Sequence, residues 1–128
     1  MPTTESKLLT VLESDAAVQT HFGTTPGTRI HPETLPQKPT LPAATYRRIA
    51  GAPVASYDGL DDLDNGLYQI DVWAETQLAA RQAADALRDA IDTSADLGAS
   101  LLSIFSDYEH ETRLYRFSLD FSLWHIES

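Results

Sequence analysis

Four aspartates lie close together in the chain: Asp58, Asp61, Asp62 and Asp64. A calcium loop needs carboxylates at alternate positions, a glycine at its sharp turn and a distant bidentate acid. Asp58, Asp62 and Asp64 share an even spacing, but Gly59 is misplaced and no glutamate follows at the required distance. The run reads instead as a solvated turn. The histidines His21, His31, His110 and His125 form neither a His-x-x-x-His pair nor a His-Glu-x-x-His zinc motif. His110, between Glu109 and Glu111, has the setting of a base or ligand and equally that of an exposed loop residue. No Gly-x-Ser-x-Gly elbow, Gly-x-x-x-x-Gly-Lys phosphate loop or Gly-x-Gly-x-x-Gly fingerprint occurs. There is no cysteine, hence no thiolate nucleophile, thiolate zinc site, iron–sulfur cluster or disulfide. The expectation is a protein that is not an enzyme and uses no cofactor or metal.

The side chains that remain unexplained suit contact better than catalysis. Residues 67 to 75 alternate, with Tyr68, Ile70, Val72 and Ala74 on one side and Gln69, Asp71, Trp73 and Glu75 on the other. Residues 115 to 124 alternate more strictly. Tyr115, Phe117, Leu119, Phe121 and Leu123 oppose Arg116, Ser118, Asp120, Ser122 and Trp124. Both tryptophans, Trp73 and Trp124, fall on the polar register. Each is either covered at a sheet end by a loop of its own chain or part of a subunit contact, where tryptophan is enriched. Arg116 and Asp120 on the last strand, read as a potential sheet edge, could pair with charges on a neighbour. Of Arg47 and Arg48, adjacent on a strand, only one can face any given surface.

The elements that position these residues follow from period and punctuation. Residues 4 to 18 read as helical through Leu8, Leu9 and Leu12, with Thr3 or Thr4 as cap and Ser14-Asp15 as punctuation before Ala16, Ala17 and Val18. Five of the seven prolines fall between residues 23 and 42, which predicts irregular or extended chain, with Thr28 to His31 as a possible edge strand. A strand is expected around Thr45 to Ile49, with a bend or bulge near Gly51 and Pro53. Asp58 to Gly66 reads as a hairpin connection with Asn65-Gly66 as its turn. Residues 77 to 92 have helical period, with Ala80, Ala83, Ala84, Leu87 and Ile91 on one face. A strand over 100 to 106 and an exposed connection from Asp107 to Glu111 complete the chain. This order predicts an α+β fold: one domain spanning residues 1–128, an antiparallel or mixed sheet and two helices packed on one face.

Composition sets outer bounds. The 128 residues are 42% hydrophobic and 22% charged, ordinary for one folded domain. Nineteen acids against nine Lys and Arg leave a formal charge of -10, so no basic surface for nucleic acid or anionic membrane can dominate. Neither a signal-peptide pattern nor an apolar run long enough to span a bilayer is present. The protein is expected to work where it is made or inside a larger particle.

Three segments, in order and spacing, resemble the tail completion (tail terminator, or tail-to-head joining) proteins of long-tailed bacteriophages and related gene-transfer particles. They are Leu41-Pro42 with Tyr46-Arg47-Arg48-Ile49 and Gly51-Ala52-Pro53-Val54; Tyr68 to Thr76 running into Ala79 to Ile91; and Asp107 to Thr112 leading to Leu114 through His125. The resemblance is weakest over residues 50 to 66. It implies a small α+β virion protein without catalysis, assembled in the bacterial host cytoplasm and located at the head-proximal end of the tail. It also implies a homo-oligomeric ring, commonly a hexamer, that caps the tail tube, stops addition of tube protein and meets the head-tail connector. Under that reading Arg47, Trp73, Arg116, Asp120 and Trp124 are candidates for the subunit or partner interface. DNA would pass the ring without specific binding, and Asp58, Asp61, Asp62 and Asp64, or Asp107, Glu109 and Glu111, would face the channel and repel its phosphates. The alternatives are a soluble adaptor that binds a partner at a sheet edge, or a small enzyme using carboxylates and a histidine.

Overall fold

The computed structural model describes residues 3–24, 28–37, 39–53, 63–94 and 97–126. Asp58, Asp61 and Asp62 lie outside the described residues. The chain opens with helix α1 (Thr4–Ser14), whose N-cap Thr3 accepts a hydrogen bond from the Ser6 amide at 3.1 Å. Leu8 and Leu12, one turn apart, are fully buried. Asp15 then turns to an extended conformation and begins helix α2 (Ala16–Phe22), its carboxylate accepting from the amides of Ala17 at 2.9 Å and Val18 at 3.1 Å. Gly23, at φ 86, ends α2 in the left-handed region that glycine enters without strain. The expected two helices are therefore three, because the capping aspartate divides the first. Asp15→Ala should cost about 1 kcal/mol, the usual loss for a helix cap, measured by urea unfolding. An unchanged midpoint would show that packing alone holds α2.

The sheet has five strands: β1 (Ile30–Pro32), β2 (Ala43–Pro53), β3 (Leu63–Ala74), β4 (Gly98–Glu109) and β5 (Leu114–Ile126). Their spatial order is β1-β2-β3-β5-β4, with β1 parallel to β2 and every other pair antiparallel. The sheet is mixed and the fold α+β. Helix α3 (Gln77–Asp92) follows β3, capped by Thr76, whose hydroxyl accepts from the Ala79 amide at 3.1 Å. Its alanines Ala80, Ala83 and Ala84 are fully buried, so its backbone lies close to the sheet. The core joins these alanines and Leu87 and Ile91 to Tyr68, Ile70 and Val72 of β3 and to Leu119, Phe121 and Leu123 of β5. Strand alternation puts the apolar register of β3 and β5 under the helices and leaves the other register on an uncovered face.

Four expectations change. β5 is not an edge: α3 carries the chain past it, β4 forms outside, and the β4–β5 turn returns β5 to the gap beside β3. Asn65-Gly66 is not a turn, because Asn65 pairs with Ala52 and Trp124, Gly66 with Gly51 and Leu123, and the ladder continues to Pro53 opposite Asp64. Gly66 is there for clearance, since a Cβ would stand 2.5 Å from Cε2 of the Tyr68 ring. Asp107 and Glu109 are not in a loop. They extend β4, whose ladder reaches Glu109 opposite Leu114 with the Tyr108 and Tyr115 rings 4.8 Å apart, and the connection is confined to residues 110–113. The irregularity in β2 falls at Ile49, between Arg48 and Ala50, while Gly51 and Pro53 remain in register.

Candidate interaction surfaces

Arg47, Trp73, Arg116, Asp120 and Trp124, spread over β2, β3 and β5, share the sheet face that no described helix covers. Cross-strand register fixes this. One row runs Ala43, Trp73, Arg116, Asp107; the next but one runs Arg47, Gln69, Asp120, Ser103; a last row joins Asn65, Trp124 and Gly98. Residues opposite one another across a ladder project to the same side.

The polar side chains of this face bond to one another across strands. Arg47 donates to Gln69 Oε1 at 3.3 Å, and Gln69 Nε2 donates to Ser118 Oγ at 3.4 Å. Ser118, fully buried, donates a short hydrogen bond to Asp71 Oδ1. Ser103 donates to Asp120 Oδ2 at 2.9 Å, and Asn65 Nδ2 donates to Ser122 Oγ at 3.0 Å and to the Leu123 carbonyl at 3.2 Å. The other Asp120 oxygen, Oδ1, is buried with no hydrogen-bond donor. Such an acceptor is costly unless a partner supplies a donor. Arg116 reaches Asp107 Oδ2 at 3.3 Å, a partly exposed ion pair worth about 0–1 kcal/mol.

The two tryptophans differ. Trp73 is half-buried and lines a hollow of about 290 Å³ with Glu33, Thr34, Leu35, Glu109, Thr112 and Leu114, so its own chain partly covers it. Trp124 is 43% exposed on the sheet face. Beside the Trp73 hollow, Leu35, Pro36, Pro39 and Leu41 of the proline-rich segment meet Thr112 and Leu114 around a cavity of about 540 Å³. Glu109 and Glu111 therefore stand at one end of the sheet, where β4 turns into β5, while Asp64 pairs with His125 near the other.

On the helix side, Tyr68 donates to Glu5 Oε1 at 3.0 Å and accepts from Arg48 Nη1 at 3.2 Å, tying α1 to the sheet. Burial, followed by the charges of Glu13, Glu5 and Glu33, pushes the Tyr46 phenol above its ordinary value. His21, His31 and His110 stand apart, and among the described residues no group of three or more His, Cys, Asp or Glu could hold a metal ion.

Sequence reasoning expected the strand over 100 to 106 but not its extension to Glu109 or its place at the edge of the sheet. Leu102 is 57% exposed and Phe105 45%, with Ile104 and Tyr108 also open to solvent. The signal was present: Leu101, Leu102, Ile104 and Phe105 put apolar side chains in both registers, unlike the half-polar strands beside them. The end of the sheet order therefore carries exposed apolar surface.

A sheet with helices on one side and an open, polar opposite face places the chain among the small α+β proteins. A component of a native gene transfer agent virion has the same fold, with a TM-score of 0.69 at 20% identity over 94% of this chain and 92% of that one. No curated protein matches the sequence. The family described as tail completion protein gp17 matches residues 6–126, and the chain belongs to that family. It is a structural tail protein of phage-like particles, a virion component that associates with other tail or head proteins. Among the described residues no helix is long and apolar enough to cross a membrane.

Proposed function

We propose that this protein caps the tail tube at its head-proximal end as a ring of identical subunits, six by the family resemblance, ends tube polymerisation and joins the tail to the head connector. Family membership over residues 6–126 carries the reading. A cyclic ring needs two different surfaces per subunit. The open sheet face with Arg47, Trp73, Arg116, Asp120 and Trp124, together with the apolar β4 edge, offers more than one. The whole chain acts as one tail-terminator domain, assembled in the bacterial host cytoplasm. The acidic end of the β4–β5 hairpin, with Glu109 and Glu111, faces the DNA channel; Asp107, held by Arg116, contributes least. Phosphates are repelled there, and DNA moves through without binding.

The test is electron microscopy of tails assembled with and without the protein. Its absence should give overlong or headless tails, and its presence a ring at the end of tails of uniform length. Normal, headed tails in its absence would overturn the proposal. The exposed β4 edge also fits a second reading, an adaptor that takes a partner peptide as an added strand. A monomer that binds such a peptide and never enters particles would establish it.

A further inference from the structure

β4 ends the sheet order, and no described strand lies beside its outer edge. Its backbone shows which groups face outward. The Glu109 carbonyl accepts from the Arg113 amide at 2.8 Å within the turn, so Glu109 faces β5. The Tyr108 amide, one residue back, faces away from β5 and donates to Asp107 Oδ1 at 2.8 Å instead of to a strand. Amides alternate sides along a strand, and the β4–β5 ladder is regular from Ser103 to Glu109, so the amides of Ser106 and Ile104 face outward with that of Tyr108.

Apolar surface gathers at the same edge. Leu102, Ile104, Phe105 and Tyr108 are all exposed. On the helix side the edge borders a cavity of about 270 Å³ between the start of α3 and the β4–β5 hairpin, lined by Gln77, Ser106, Asp107, Tyr108, Tyr115 and Phe117. Leu78, the next residue of α3, is 66% exposed. The charges around this cavity are already matched. Asp107 pairs with Arg116 at 3.3 Å, and Arg81, 6.0 Å from the centre of the Phe117 ring, pairs with Asp85 at 3.2 Å. The cavity therefore suits an uncharged, apolar side chain. A free strand edge beside a side-chain pocket is the arrangement by which a sheet takes up an extended peptide.

We propose that the β4 edge binds an extended segment of another tail or head protein as an added antiparallel strand. An aromatic or aliphatic side chain of that segment fills the cavity beside Tyr108, and a lysine or arginine stands near Glu109. This rests on the chain being a particle component and names the chemistry of one partner. Charge selects the occupant. From Gly98 to Arg113 the acids are Asp107, Glu109 and Glu111 and the one Lys or Arg is Arg113. Asp107 is held by Arg116, and Glu109 shares the Trp73 hollow with Glu33. A basic segment meets these carboxylates, whereas the β4 of a second copy brings Asp107 and Glu109 and no base.

The probe is a short peptide of alternating threonine and valine with a central phenylalanine and two lysines at its amino end, which antiparallel addition places beside Glu109. Added to the full chain, it should slow hydrogen exchange at the Ile104, Ser106 and Tyr108 amides, followed by NMR. The same peptide with proline at its centre, or with glutamates for the lysines, should bind about ten-fold more weakly. Ser106→Pro removes one outward N–H at an edge, where proline is tolerated, and should abolish binding with the circular dichroism unchanged. Absence of binding, binding that leaves those three amides unprotected, or binding that survives Ser106→Pro would overturn the proposal. Protection that rises with protein concentration and without peptide would mean that a second copy covers the edge, and would overturn it too. If Ser106→Pro does not fold, Glu109→Lys must reverse the order of the lysine and glutamate peptides for the proposal to stand. Each of these outcomes leaves the tail reading where it was, because micrographs of tails made without the protein decide that separately.

Discussion

Tyr68→Ala is expected to remove about 3–5 kcal/mol of stability, the range for deleting a large buried ring. Tyr68 is the largest of the fully buried side chains. Its ring fills space that Gly66 leaves open, and the Arg48 guanidinium lies 5.7 Å from its centroid. Alanine would leave a cavity beneath α1 and would strip Glu5 and Arg48 of a shared partner. A domain of ordinary stability has only about 5–15 kcal/mol in total, so the variant should be unfolded or nearly so at low denaturant. Tyr68→Phe separates the two contributions. It keeps the ring, loses the hydroxyl and should cost about 1–3 kcal/mol. Urea unfolding with matched slopes measures both, and a Tyr68→Ala midpoint within error of the parent would refute this account of the core.

Leu102→Lys combined with Phe105→Lys should have the opposite profile, with stability nearly unchanged and assembly lost. About half of each side chain is already in water in the isolated chain, so replacing them should shift unfolding by only about 0.5–1 kcal/mol. In an assembly that buries them, losing roughly 2 kcal/mol of apolar contact weakens each interface about thirty-fold. A closed ring repeats that loss at every contact. Folded protein missing from tails is the expected result, scored by circular dichroism of the variant and micrographs of the particles. Complete, headed tails carrying the double lysine variant would show that β4 faces solvent in the particle.

The sequence made the elements legible where one periodicity ran uninterrupted. Tyr68 to Ala74, Ala80 to Ile91 and Tyr115 to Leu123 each name their own buried face, and the structure puts those residues in the core. The same alternation placed Trp73, Arg116, Asp120 and Trp124 on the opposite side, and the structure puts them on one face with Arg47, the two tryptophans toward its opposite ends. What failed was neighbourhood. Asn65-Gly66 has turn chemistry, yet Asn65 spends its amide on Ser122 and the Leu123 carbonyl, and Gly66 makes room for a ring two residues on. Both reasons depend on residues distant in the chain or on packing, which local propensity does not encode. Strand order was equally hidden. Alternation says which way a side chain points but not which strand lies outside, so β5 was taken for an edge, and the strand expected over 100 to 106 was not placed outside it. Asp107 and Glu109 looked like loop residues because charge suggests exposure, and an edge strand is exposed without being a loop.

The division of β3 and β5 into inward and outward registers separates two kinds of selection within the same ten or so positions. Tyr68, Ile70 and Val72 of β3 and Leu119, Phe121 and Leu123 of β5 pack beneath the helices, while their immediate neighbours lie on the side that no described helix covers. Substitutions at Gln69, Trp73, Arg116 and Trp124 are therefore expected to leave the interior packing in place. A library varied only on that side would keep the scaffold while retargeting it to a foreign tail, a route to building chimeric delivery particles from parts that never evolved together.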